Sequence, residues 1–154
     1  GVHVLDDYGP VNIHRWWNRG IDYAVEYGAR FVCVINDDVL MDADTIPALM
    51  SAMADTGAAI ASPGSGGLVT DPNLHRVLNG ACWLLDTATG LRADERFRWW
   101  YGDDDLDRRA RKHHGGVVTV DCTFHHLYPN HQTEASPTLT ALTADDLREW
   151  NAHN

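Results

Sequence analysis

The chain reads as an α/β fold with an at least partly parallel sheet. Strand-like and helix-like periods alternate through its first half. The run Phe31 to Ile35 is apolar without alternation, as expected of a strand covered on both faces. The 154 residues are 44% hydrophobic and 22% charged, which suits one globular domain with one sizeable core.

Val2 to Leu5 reads as a short strand that ends in Asp6-Asp7. Ile13, Trp16, Trp17, Ile21, Ala24 and Val25 recur at helical spacing and predict a helix over 12–27, with both tryptophans in the core and Gly28 as its stop. Phe31 to Ile35 follows as a buried strand. Asp44 is placed to cap the next helix, Pro47 is tolerated in its first turn, and Ile46, Leu49, Met50 and Met53 give it an amphipathic stripe. Residues 58–62 read as a strand. "SPGSGGLVTDPN" (Ser62 to Asn73) reads as a loop; it lacks the Lys of a P-loop and the glycine spacing of a dinucleotide site. Arg76 to Leu85 resumes a strand pattern, and "DTATG" is a turn. Asp103 to His113 predicts a helix and Val117 to Val120 a strand. Thr143 with Asp146 resembles a capping box before a final short helix carrying Leu147 and Trp150. No internal repeat or domain linker is evident.

The formal net charge is −10, which argues against a nucleic-acid or anionic-membrane binder and fits a protein that gathers carboxylates around a cation. No apolar run reaches membrane-spanning length, and no signal-peptide pattern is present. Cys33, Cys82 and Cys122 are odd in number and sit in or beside apolar runs, which predicts reduced thiols and a cytoplasmic protein.

Two acidic stretches carry the chemistry. "VINDDV" ends an apolar strand in Asn36-Asp37-Asp38, where α/β sheets place ligands. Adjacent carboxylates repel unless a cation or donor compensates, and Mn²⁺ or Mg²⁺ takes oxygen ligands from one or two carboxylates plus substrate phosphates. The structural alternative is a turn before the Asp44 helix. "WWYGDDDLDRRARKHHGG" (Trp99 to Gly116) sets Asp103, Asp104 and Asp105 behind two tryptophans. Helix-dipole complementarity accounts for most of this, but three carboxylates in a row exceed what capping needs, and one is a candidate general base beside an aromatic wall.

In order along the chain, these segments resemble the inverting glycosyltransferases of the family 2 type, with the glycosyltransferase-A (GT-A) fold. "NRGIDYA" (Asn18 to Ala24) looks like the family's Asn-x-Gly helix. "VINDDV" looks like its Asp-x-Asp metal segment, "NGACWLLDTATGLRADERF" (Asn79 to Phe97) like its acceptor-side strand and hairpin, and "GDDDLDRRAR" (Gly102 to Arg111) like its catalytic helix start. The likeness covers most of residues 1–130. It implies a GT-A-like, mixed and mostly parallel sheet flanked by helices, N-terminally truncated. In that reading 1–62 is the remaining donor and metal side, 74–130 the acceptor and catalytic side, and 131–154 a C-terminal tail and helix.

The resemblance also implies roles. Asp38 is the main carboxylate ligand of Mn²⁺ or Mg²⁺, with Asp37 nearby and His126, or else His125, completing the site. The donor is a nucleotide-diphosphate sugar, with Asp6, Asp7 and Asn18 as remaining cofactor contacts. Asp103 is the base, or Asp104 if the helix register is off by one, and Asp105 with Arg109 supports the helix. Trp83, Trp99 and Trp100 stack on an acceptor that is a glycan, a lipid-linked sugar or a protein. From position alone, Trp83 reads instead as core, and His125-His126 as a surface pair.

Two departures stand out. The Glu that usually precedes the base is Gly102 here. The first strand, helix and acidic segment of the donor half, a unit of roughly 30 or more residues, are missing before Gly1, which predicts an upstream part or self-association through an open sheet edge. The alternatives to a metal-dependent glycosyltransferase are a non-catalytic GT-A-like module that binds carbohydrate or protein, and a metal-dependent hydrolase built on the same acids and histidines.

Overall fold

A computed structural model describes residues 3–127 and 131–153. The chain forms α1 (Ile13–Glu26), β1 (Phe31–Ile35), β2 (Val39–Met41), α2 (Thr45–Thr56), β3 (Ile60–Pro63), β4 (Gly67–Val69), β5 (Cys82–Asp86), α3 (Gly102–His113), β6 (Val117–Val120), β7 (Phe124–His126), α4 (His131–Ala135) and α5 (Pro137–His153). A five-stranded sheet runs in the order β1-β5-β3-β6-β4, and β2 and β7 form a separate antiparallel ribbon.

Helices cover both faces of the sheet. On one face Ile21 of α1 and Leu106 and Ala110 of α3 pack with Ile60, Trp83, Leu85 and Val117. On the other, Leu49 and Met53 of α2 pack with Ala61, Leu84 and Val118. This two-sided cover explains why Phe31 to Ile35 is apolar at every position: Val32 and Val34 serve one layer, Phe31 and Cys33 the other.

Local chemistry sets the helix ends. Asn12 caps α1 by accepting the Arg15 N–H at 2.9 Å, and the apolar stripe of the helix then faces the sheet. In α3, Asp103 to Asp105 fill the first turn and Arg111, Lys112 and His113 the last, as the helix dipole favours.

Several expectations need correction. The sheet is not mostly parallel: β3 and β6 run parallel, while the β1–β5, β5–β3 and β4–β6 pairs are antiparallel. β1 is an edge strand rather than an interior one; covering helices produce the same apolar run at an edge as at the centre. Residues 3–5 are coil, and Val2 lies outside the described residues. The strand expected from Arg76 begins only at Cys82, because 76–80 is held by side chains rather than by a neighbouring strand. Three-residue strands emerge at Val39–Met41, Phe124–His126 and within the Gly-rich loop at Gly67–Val69, too short to show a period.

Asp44 precedes α2 without a capping side-chain bond. Thr143 is interior to α5, its hydroxyl donating to the Leu139 carbonyl at 2.9 Å, so the last helix is about two turns longer at its front than a Thr143 cap would allow.

Candidate active site

A cavity of about 560 Å³ opens where β1 ends, between the α1 N-terminus, the 76–81 segment and the 97–101 loop. Asn36, Asp37 and Asp38 form one part of its wall, and Asp103 another. The β2–β7 ribbon pairs Val39 with His126, and this register brings the His126 ring back to the acid turn. His126 Nε2 lies 3.0 Å from Asp38 Oδ1. His125, paired with Leu40, is one residue out of phase along the same strand and exposed; it does not line the cavity. Of the two histidines considered for a metal, the strand pleat therefore selects His126.

Asp38 and His126 offer one oxygen and one nitrogen, with Asp37 on the same wall. The carboxylate oxygens suit Mn²⁺ or Mg²⁺, which take part of their shell from phosphate and water. Among the described residues no three His, Cys, Asp or Glu side chains converge into a cluster able to hold a metal.

Asp103, and not Asp104, lines the cavity. Its carboxylate accepts a hydrogen bond from Arg76 Nη1, which also donates to Asp104 Oδ2 at 3.1 Å. Burial pushes the Asp104 carboxyl above its ordinary value, and the neighbouring charge of Asp103 adds to the shift. Glycine at residue 80 lets the Asp103 carboxylate lie against the 79–81 segment where it does: a Cβ there would stand 2.6 Å from Asp103 Oδ2 and the carboxylate would have to shift. Asp105 is turned inward and paired with Arg109 at 2.6 Å, and Arg109 also donates to the Arg92 carbonyl at 2.7 Å. That pairing fixes the helix on which Asp103 sits.

Gly102 also has a physical reason. The His14 ring occupies the space a side chain would need, with Nε2 2.2 Å from the position of a Cβ on Gly102. His14 is 1% exposed, and its Nδ1 lies 2.8 Å from the Phe97 carbonyl. A carbonyl only accepts, so Nδ1 carries the hydrogen that points at Phe97. Burial holds its pKa below the usual 6.5, against the opposing pull of the Phe97 carbonyl and the charges of Asp146, Asp94 and Asp105. The unfolded chain then binds the proton more readily, so His14 costs stability as pH falls below 6.5. Comparing denaturation midpoints of wild type and His14→Gln from pH ~7.5 to ~5 checks this; the variant is expected to show the shallower decline, and equal slopes would count against a buried neutral His14.

The aromatic wall is organised by α5. Asp146 is 1% exposed, and its carboxylate accepts the backbone N–H groups of Arg98, Trp99 and Trp100 at 2.7–3.0 Å. Trp150 stacks on Tyr101 at 5.6 Å, and the Trp99 indole N–H donates to Thr133 Oγ1 at 2.9 Å. Tyr101 sits at φ +65°, a strained turn directly before α3. Asp146 thus tethers the loop that carries Trp99 and Trp100 rather than capping its own helix.

Four other expected site residues lie elsewhere. Trp83 is 0% exposed and packs edge-on against Trp17 at 5.4 Å, so it is core and has no free face for an acceptor. Asn18 is buried; its carboxamide bonds the Ala93 N–H, the Ala93 carbonyl and Glu95, so its capacity is spent on joining α1 to the 91–95 segment. Asp6 is exposed coil outside the cavity. Asp7 bonds Gly9, Arg15 and Trp16, and these donors, the Gly9 N–H foremost, hold its pKa down to about 2. Trp16 and Trp17, expected in the core, both line the cavity, though Trp17 also packs on the core.

His14 and Arg76 are the site residues that sequence reasoning missed. His14 is one position in an otherwise ordinary helix period, and Arg76 heads an apolar run. Neither has a local signal. Compared with family models and with curated proteins, the chain matches none.

Proposed function

We infer that this chain is the catalytic part of a metal-dependent glycosyltransferase that moves a sugar from a nucleotide-diphosphate donor to an acceptor hydroxyl with inversion. The observation that carries the reading is the juxtaposition in one cavity of an Asp38–His126 pair at 3.0 Å with a separate carboxylate, Asp103. One end suits a divalent ion and a diphosphate; the other suits a base.

Bound at Asp38 and His126, Mn²⁺ or Mg²⁺ would act as a Lewis acid for the departing diphosphate. Asp103 takes the proton of the acceptor hydroxyl while that oxygen bonds to the anomeric carbon. The bond from that carbon to the diphosphate breaks on the opposite face, which inverts the centre. Trp99 and Trp100 supply flat apolar surface for the acceptor. Among the described residues no helix is long and apolar enough to cross a membrane.

Calorimetric titration of the full chain with a panel of nucleoside diphosphates, first with Mn²⁺ and then with chelator, tests the reading. Binding of one nucleotide that vanishes with chelator is the expected result and names the donor base. A folded protein that binds none would overturn it.

A further inference from the structure

Arg76 is the only Lys or Arg lining the cavity among the described residues. Its side chain is one-third exposed, and only Nη1 is engaged, by Asp103 and Asp104. No acceptor among the described residues reaches its Nε or Nη2. A guanidinium with one edge tied to carboxylates and the other open offers two parallel donors to a planar or tetrahedral anion.

The backbone that presents Arg76 is fixed from below. Asp107, 0% exposed, accepts the N–H groups of Val77 at 3.2 Å and Leu78 at 3.0 Å. Arg111, paired with Asp107, donates to the Asp71 carbonyl at 2.6 Å and the Leu74 carbonyl at 3.1 Å. Residues on both sides of Arg76 are therefore bound to one buried ion pair on α3. Building an exposed arginine on so rigid a support favours recognition over a simple surface charge, because a preorganised donor loses less entropy on binding.

We propose that the open edge of Arg76 is an anion site of the acceptor half, and that the acceptor carries a phosphate or carboxylate group beside the hydroxyl it offers. Placement in the acceptor half rests on the reading of Asp103 as the base: Arg76 touches Asp103, whereas Asp38 and His126 mark the donor end. An anion on Nε and Nη2 leaves Nη1 on Asp103, so one arginine ties the acceptor's charge to the residue that deprotonates it. The pairing also limits the site to acceptors whose anion and hydroxyl are neighbours.

The test uses the full chain in chelator, so that no metal contributes. Inorganic phosphate and acetate are titrated while the arginine side-chain Nε–H signals are followed by NMR. The Arg76 signal is the one lost in Arg76→Lys. The expected result is a saturable shift of that signal; the backbone amide signals of residues 76–81, followed in wild type and in Arg76→Gln alike, are expected to report an affinity about tenfold or more weaker in the variant, the loss of charge-assisted bonds. A stronger response to phosphate names a phosphorylated acceptor, and to acetate a carboxylated one. No shift with either anion, or equal affinity in Arg76→Gln with an unchanged melting temperature, would overturn the proposal. Mn²⁺-dependent nucleotide binding is expected to survive Arg76→Gln. Its absence from wild type would overturn the glycosyltransferase reading while leaving an anion site at Arg76 intact.

Discussion

Asp103→Asn is expected to leave Mn²⁺-dependent nucleotide binding within about twofold of wild type and to lower sugar transfer by about a thousandfold, within the range of a lost general base. Asn keeps the size of the side chain and one oxygen for Arg76, so the cavity wall stays in place. It cannot take a proton from a hydroxyl. Asp38→Asn acts at the other end. It removes the charge that faces His126 and one of the two side-chain donors there. Loss of a direct ligand is expected to weaken metal-dependent binding by more than about a hundredfold, beyond the cost of changing an outer partner. The nucleotide identified by calorimetry supplies the donor for the transfer assay. Similar loss of binding in both variants would sink the division of labour between Asp38 and Asp103.

The same contrast separates an enzyme from a binding module. A module that only holds carbohydrate would be indifferent to Asp103→Asn provided the wall keeps its shape. It would be sensitive instead to Trp99 and Trp100, which present the apolar area.

What the sequence reveals follows from the range of the forces involved. α1, α2 and α3 are legible because each needs a stripe facing the sheet, and a stripe recurs every turn. The acid turn at Asp37-Asp38 is legible because it breaks an apolar run. Direction and order in the sheet are not: Phe31 to Ile35 carries the same residues whether its neighbour runs parallel or antiparallel. Trp83 illustrates the limit for side chains. An aromatic next to catalytic motifs reads as a stacking surface, yet strand alternation turns it into the layer under α1 and α3. Asn18 fails likewise, since a buried carboxamide that ties two segments has the same spelling as one that touches a ligand. Choosing His126 over His125 needs the β2–β7 register, which three-residue strands do not announce. Asp146 lies near the C-terminus, 46 to 48 residues after the loop it holds, and no local pattern spans that distance.

The buried pair beneath Arg76 carries the largest expected effect on stability. Asp107 and Arg111 have side chains 0% and 2% exposed. Asp107→Asn leaves the Arg111 guanidinium buried without its counter-charge, and arginine stays protonated, so nothing relieves the cost. A loss of about 3–5 kcal/mol is expected wherever Asp107 is ionised, a large part of the about 5–15 kcal/mol that holds a domain together. Arg111→Met differs in kind. Burial already pushes the Asp107 carboxyl above its ordinary 3.8, with Arg111 pulling it down. Without Arg111 the pKa rises further, and the native state binds a proton that the unfolded chain does not. Stability of Arg111→Met should therefore fall as pH rises above 3.8 and recover in acid, whereas Asp107→Asn shows no such recovery. Denaturant midpoints of the two variants, set against wild type at pH ~5 and ~8, measure the asymmetry. Equal losses at both pH values would mean that Asp107 is held by the Val77 and Leu78 N–H groups alone, with Arg111 serving only the Asp71 and Leu74 carbonyls. The asymmetry also reaches the cavity, because any loosening of 71–78 moves Arg76, which bonds Asp103.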